Sequence, residues 1–146
     1  MTNRFRTIAA FLLGAALLIG AASAHQSREV DDGYRVIVGL MVNPAYSGQL
    51  NGIDLIVRDA DGEPVENLAA SLTAVVIGPD GTELTLTLRA QADRPGYYTG
   101  DFIPTEAGNY QFRVSGFIGA VEFSEVFDEP AHSDPHVLDA ATIQVP

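Results

Sequence analysis

The chain has 146 residues, no cysteine and no tryptophan, with 19 acidic side chains against 8 basic ones and an apolar share of 47%. That length fits one ordinary domain and not two, and the apolar share favours a folded chain over a disordered one. The lack of cysteine excludes disulfides, thiolate catalysis and thiolate metal sites.

Residues 1–24 begin with Asn3, Arg4 and Arg6, continue through the apolar run Ile8 to Ile19, and end in Ala22, Ser23 and Ala24. This is the three-part layout of a secretory signal peptide with a small-residue cleavage site. A membrane-spanning helix needs about 20 consecutive apolar residues, and here Ser23, His25, Gln26 and Arg28 close the stretch early. Cleavage after Ala24 leaves 122 residues beginning at His25, with six arginines, no lysine, all 19 acids and a formal charge of −13. Such a surface repels nucleic acid and anionic lipid headgroups. The expected product is therefore exported, periplasmic or extracellular, with no nucleic-acid partner and no membrane insertion after cleavage.

From Tyr34 the pattern is period two. Tyr34, Val36, Val38, Leu40 and Val42 share one face, and Ile53, Leu55 and Val57 follow after the breaker Asn43-Pro44, which reads as two half-buried strands. A turn at Asp61-Gly62-Glu63-Pro64 closes the second, and only Val65 to Ser71 offers room for a helical turn. Leu72 to Ile77 is apolar on both faces. Pro79-Asp80-Gly81 turns the chain into Leu84-Thr85-Leu86-Thr87-Leu88, with leucines inward, so the two runs form a hairpin. Tyr98, Gly100 and Phe102 form the next alternation, Tyr110, Phe112 and Val114 another, and Gly119 to Phe127 the last. Glu125 falls where the last run wants an apolar residue, which predicts a bulge or an early strand end.

Seven short strands with turn signals between them and no helical period predict an all-β fold, a seven-stranded antiparallel immunoglobulin/fibronectin-III-like sandwich. Its predicted inward residues are Val36, Val38, Leu55, Val57, Val76, Leu86, Phe102, Tyr110, Phe112 and Phe123. The sandwich spans 25–127, and 128–146 is a polar C-terminal tail in which Leu138 to Val145 adds a short edge strand.

No serine sits in a nucleophile motif and the carboxylates are spread over turns and strand edges, so the expectation is a protein that is not an enzyme. Asp59-Ala60-Asp61-Gly62-Glu63 has two carboxylates before a glycine but lacks the rest of a calcium loop, and a strand-ending turn explains it better. The histidines point elsewhere. His25 is the first residue after the cleavage site, where its α-amine and imidazole can close a chelate ring on one metal ion. Nitrogen donors with a carboxylate suit copper(II). His132, Asp134 and His136 in the tail are the candidates to complete the set.

His25 after Ala24, Gly48-Gln49, the run Asp59 to Val65, Gly96-Tyr97-Tyr98 and the run Ile103 to Tyr110 resemble exported immunoglobulin-like domains of the YtkA-like kind. The segment before Phe112 looks like the tyrosine corner of such sandwiches, in which a Tyr hydroxyl ties to upstream backbone. The chain is also distantly similar to periplasmic CopC-like copper carriers, whose Cu(II) is held by the mature N-terminal His and a downstream Asp-x-His. His25 matches the first, and Asp134-Pro135-His136 matches the spacing of the second. In those carriers the Asp-x-His precedes the final strand, where this chain has Ser115-Gly116-Phe117-Ile118-Gly119. The resemblance implies an exported non-enzymatic binding module that handles Cu(II) through the mature N-terminal His. The alternative is an accessory domain that makes protein-protein contacts and binds no metal.

Overall fold

The computed structural model describes residues 25–128 and 136–145. The predicted signal peptide, His132 and Asp134 lie outside the described residues. One sheet contains β1 (His25–Glu29), β2 (Arg35–Leu40), β4 (Asn51–Arg58), β7 (Arg89–Ala90) and β8 (Tyr97–Phe102), in the order β1-β2-β4-β8-β7. A second contains β5 (Leu72–Ile77), β6 (Glu83–Leu86), β10 (Gln111–Ile118) and β11 (Val121–Phe127), in the order β11-β10-β5-β6. A third, small sheet joins β3 (Ala45–Tyr46), β12 (His136–Leu138) and β9 (Gly108–Asn109), with β12 in the middle. Only the β12–β3 pairing is parallel among the described strands.

Each of the seven expected strands has its counterpart, in β2, β4, β5, β6, β8, β10 and β11, but the count of seven is corrected to twelve among the described residues. The five additions are two to five residues long, too short and too polar to carry a readable period. All ten predicted inward side chains are buried. They form one cluster between the two large sheets. At its middle the fully buried Phe112 meets Phe102 edge-on, ring centroids 5.9 Å apart, and Phe102 also touches Tyr110. The Tyr110 hydroxyl donates to the Glu106 carbonyl at 3.0 Å and accepts from the Glu106 amide at 3.3 Å, the closure expected of a tyrosine corner.

Three local expectations are corrected. Leu84 lies beside the buried Val76 in the β5–β6 ladder, yet it is 53% exposed. β6 is an edge strand, and an open groove lined by Phe102, Ile103, Pro104 and Tyr110 lies where cover would be needed. Glu125 causes no bulge, because β10 and β11 pair without interruption from Phe112↔Phe127 to Ile118↔Val121. β11 is also an edge, so the half-buried Glu125 can reach water from the inner face. Residues 65–71 form no regular helix but hold the single turn for which the sequence offered room, with the amides of Ser71 and Leu72 both donating to the Leu68 carbonyl. The tail strand is His136–Leu138 rather than part of 138–145, and it is central: Val137 is fully buried, and Ala140–Ile143 follow as a 3-10 turn. The Asp139 carboxylate caps that turn at the Ala141 amide.

The pairings also fix where the chain's parts meet. β1 starts and β11 finishes toward the end of the sandwich that the small third sheet covers, because His25 faces Gly39, one residue short of the end of β2, and Phe127 faces Phe112. The third sheet is tied there by Ser47 N–H to the Leu138 carbonyl at 2.9 Å and Gly48 N–H to the Pro104 carbonyl at 2.7 Å.

Candidate functional site

Five-strand register places one polar row across the outer face of the first sheet: His25, Gly39, Asp54, Thr99 and Arg89 lie side by side. The inner face of the same strands is apolar, so the period of two sends these side chains outward. Gly39 stands between His25 and Asp54 and carries no side chain. The imidazole can therefore cross it, and His25 Nε2 lies 3.0 Å from Asp54 Oδ2, with the His25 side chain 30% exposed and that of Asp54 only 10%.

The connection from β7 to β8 closes over this pair. Gln91 donates its amide to Asp54 Oδ1 at 2.7 Å, and the Gln91 carbonyl oxygen accepts from the Arg94 guanidinium at 2.7 Å. Arg94 lies over the Tyr97 ring, 3.8 Å from its centroid, and stands 4.0 Å from Asp54. The buried carboxylate therefore has polar neighbours on both oxygens, as a buried charge requires. Gly52 opens a second gap beside it. A Cβ added there would fall 3.0 Å from Thr99 Oγ1 and 3.3 Å from the Met41 Cγ, so the hydroxyl and the thioether chain both lean over Gly52. Met41 Sδ is 3.5 Å from the Gln91 amide nitrogen. Thr99 is 95% buried, and its hydroxyl has no hydrogen-bond partner among the described residues.

Of the predicted site residues, His25 is in this cluster. His136 is in another sheet, opposite Asn109 in the β9–β12 pairing, and its Nδ1 lies 2.7 Å from the Asn109 side-chain oxygen. Among the described residues no group of three or more His, Asp and Glu side chains converges in a metal-holding arrangement. His25 and His136 face different partners in different sheets, and the other two predicted ligands, His132 and Asp134, lie outside the described residues. Asp54, Gln91 and Met41 were not singled out from the sequence. The signal for Asp54 was its isolation, a lone carboxylate between Ile53 and Leu55 in an apolar strand. The Asp59–Glu63 segment is a turn: Asp59 Oδ1 accepts the amides of Asp61 and Glu63 at 3.0 and 2.9 Å, so the backbone occupies that carboxylate.

No family model and no curated protein matches the chain. Among solved structures, a DUF4426 family protein from Pseudomonas aeruginosa PAO1 is similar with a TM-score of 0.57 and 16% identity, over 76% of this chain and 97% of that one. The Lin-41 filamin domain superposes at a TM-score of 0.41 and 18% identity, over 62% of this chain and 89% of that one. At such identity the first likeness bears on the fold alone. The two packed sheets and the tyrosine corner make this chain a β-sandwich with an immunoglobulin-like fold.

Proposed function

We propose that the chain is an exported, non-enzymatic binding module that holds Cu(II) at His25 once residues 1–24 are removed. The observation that carries this reading is the Asp54 carboxylate on His25 Nε2 at 3.0 Å. The six-membered chelate ring of an N-terminal His can use only its α-amine and Nδ1, because Nε2 is on the far side of the imidazole. Metal-bound imidazoles commonly donate the other ring nitrogen's proton to a carboxylate, which orients the ring and raises its basicity. Asp54, fixed by Gln91, is placed for that role. The likeness to YtkA-like domains and CopC-like carriers supports the same reading, with periplasmic or extracellular residence. In this reading the tail residues His132, Asp134 and His136 are not needed for the first two nitrogen donors.

The test uses the protein purified after export. Intact mass should show a chain that begins at His25, and Cu(II) titration followed by electron paramagnetic resonance should show one tetragonal nitrogen-rich site. A version with one extra Gly between Ala24 and His25, also processed after Ala24, moves the amine away from the ring and should lose that spectrum. Retention of residues 1–24, or equal copper binding by both versions, would leave the accessory domain without metal as the better account.

A further inference from the structure

We infer that a cleft at the end of the first sheet away from His25 holds the phosphoryl group of a hydroxyl-bearing phosphate monoester between Arg35 and Arg58. Arg35 lies four residues before Gly39 on β2 and Arg58 four residues after Asp54 on β4, so the period of two sends both side chains to the same outer face. The ladder sets them directly opposite each other, with Glu29 next in the row. Like charges in that position are unfavourable, and a chain with 19 acids has carboxylates to spare. Yet among the described residues the ion pairs join His25, Arg94, Arg89 and Arg113 to Asp54, Asp101 and Glu83, and neither Arg35 nor Arg58 is in one. Arg58 lies over the Tyr97 ring, 5.4 Å from its centroid, a contact with a ring face and not with an acceptor.

The two arginines line a cleft of about 450 Å³, a volume within the range of small-ligand sites. Its walls are the turn 31–33 between β1 and β2 and the turn 59–62 after β4. The walls touch: a Cβ added at Gly33 would fall 3.0 Å from that of Ala60, so a residue without a side chain is what lets them meet. Three carboxylates line the same cleft. Asp59 is taken up by its own turn, its Oδ1 accepting the amides of Asp61 and Glu63, whereas Glu29 and Asp61 are exposed. A guanidinium presents a planar fork that takes two oxygens. One carboxylate fills one fork, but a phosphoryl group has three oxygens and up to two negative charges, which serve both. The cleft holds more than that group, and Glu29 and Asp61 accept hydrogen bonds from hydroxyls while repelling a second anion. A phosphorylated sugar or polyol has both halves of this chemistry. The inference does not rest on the metal reading at His25, because the two groups are at opposite ends of the same strands.

The test is calorimetric titration of the exported, processed protein with glucose 6-phosphate at about pH 8, where the monoester is a dianion. Inorganic phosphate, glucose and phosphatidylglycerol vesicles are run beside it. Glucose 6-phosphate should bind saturably at one site and more tightly than inorganic phosphate, with no binding of glucose. Arg35→Gln and Arg58→Gln should each lose at least about tenfold in affinity. Arg89→Gln, on the same sheet but paired with Asp101, should lose nothing. Thermal unfolding separates a lost ligand from a lost fold. Arg35→Gln removes an opposed like charge and should melt no lower than the natural protein, and glucose 6-phosphate should raise the midpoint of the natural protein but not of the variant. Absence of saturable binding, or equal affinity in both arginine variants, would overturn the inference. Equal binding of inorganic phosphate would overturn the hydroxyl-bearing ligand, and vesicle binding lost in both variants would overturn the monoester in favour of a lipid headgroup.

Discussion

Tyr98 shows how a side chain of the core holds a loop of the surface. It is 1% exposed, and its hydroxyl donates to the Val65 carbonyl at 2.6 Å and accepts from the Leu68 amide at 3.2 Å. The segment between β4 and β5, which forms no regular element, is fastened to the first sheet at these two points. Tyr98→Phe preserves the ring's packing and leaves two backbone groups without their partner, each at a cost of about 1–3 kcal/mol. The expected loss is about 2–6 kcal/mol, against a total of about 5–15 for a small domain. With a urea slope of about 2 kcal/mol/M, the middle of the usual range, the midpoint should fall by roughly 1–3 M. Urea unfolding followed by far-UV circular dichroism measures it, since the chain has no tryptophan, and amide exchange at Leu68 reports the local effect. A midpoint shift near zero with Leu68 still protected would refute the assignment of these bonds to stability. The same residue predicts an alkaline limit. Burial pushes the Tyr98 phenol above its ordinary value of 10.0. The folded state therefore keeps a proton that the unfolded chain gives up, so stability is intact below the unfolded value and declines as pH rises through the folded one. In Tyr98→Phe that part of the decline should vanish.

Phe112→Ala empties the centre of the sandwich, where the ring lies fully buried against Phe102. It should cost about 3–5 kcal/mol in denaturant unfolding, and a near-neutral result would contradict the inward assignment of its strand. Asp54→Asn keeps the shape of the carboxylate but not its charge on His25 Nε2. Cu(II) affinity of the processed protein should fall about 10–100-fold, and unchanged affinity would show that the pair does not support a metal.

How much of this protein is legible without coordinates depends on how far apart the deciding residues are. Alternation is local, a consequence of successive side chains pointing to opposite faces of a strand, so Val36, Leu55, Phe102 and Phe112 could be assigned inward from their neighbours alone. The turns at Asp59–Glu63 and Asp80–Thr82 were legible for the same reason, because one Asp side chain bonds to amides two to four residues away. Where alternation misled, the missing fact was what lay opposite. Leu84 points inward correctly but has an open groove across from it, and Glu125 is tolerated because its strand is an edge.

His25 could be singled out from its place after a cleavage motif, but its partner could not. Asp54 is 29 residues away, Gln91 is a further 37 from Asp54, and Met41 reaches the group across Gly52. Their meeting is decided by strand register and by two glycines that leave room over the sheet, quantities set by the packing of whole sheets. His136 was singled out by its spacing from Asp134, which lies outside the described residues, but its neighbour Asn109 was not legible, because the pairing of β12 goes with the burial of Val137 in the middle strand of the third sheet. Local chemistry thus determined the faces of the strands and singled out the histidine at the start of β1. Only the tertiary structure chose which polar side chains meet it, because contact between residues distant in sequence is settled by the burial of the apolar faces that carry them.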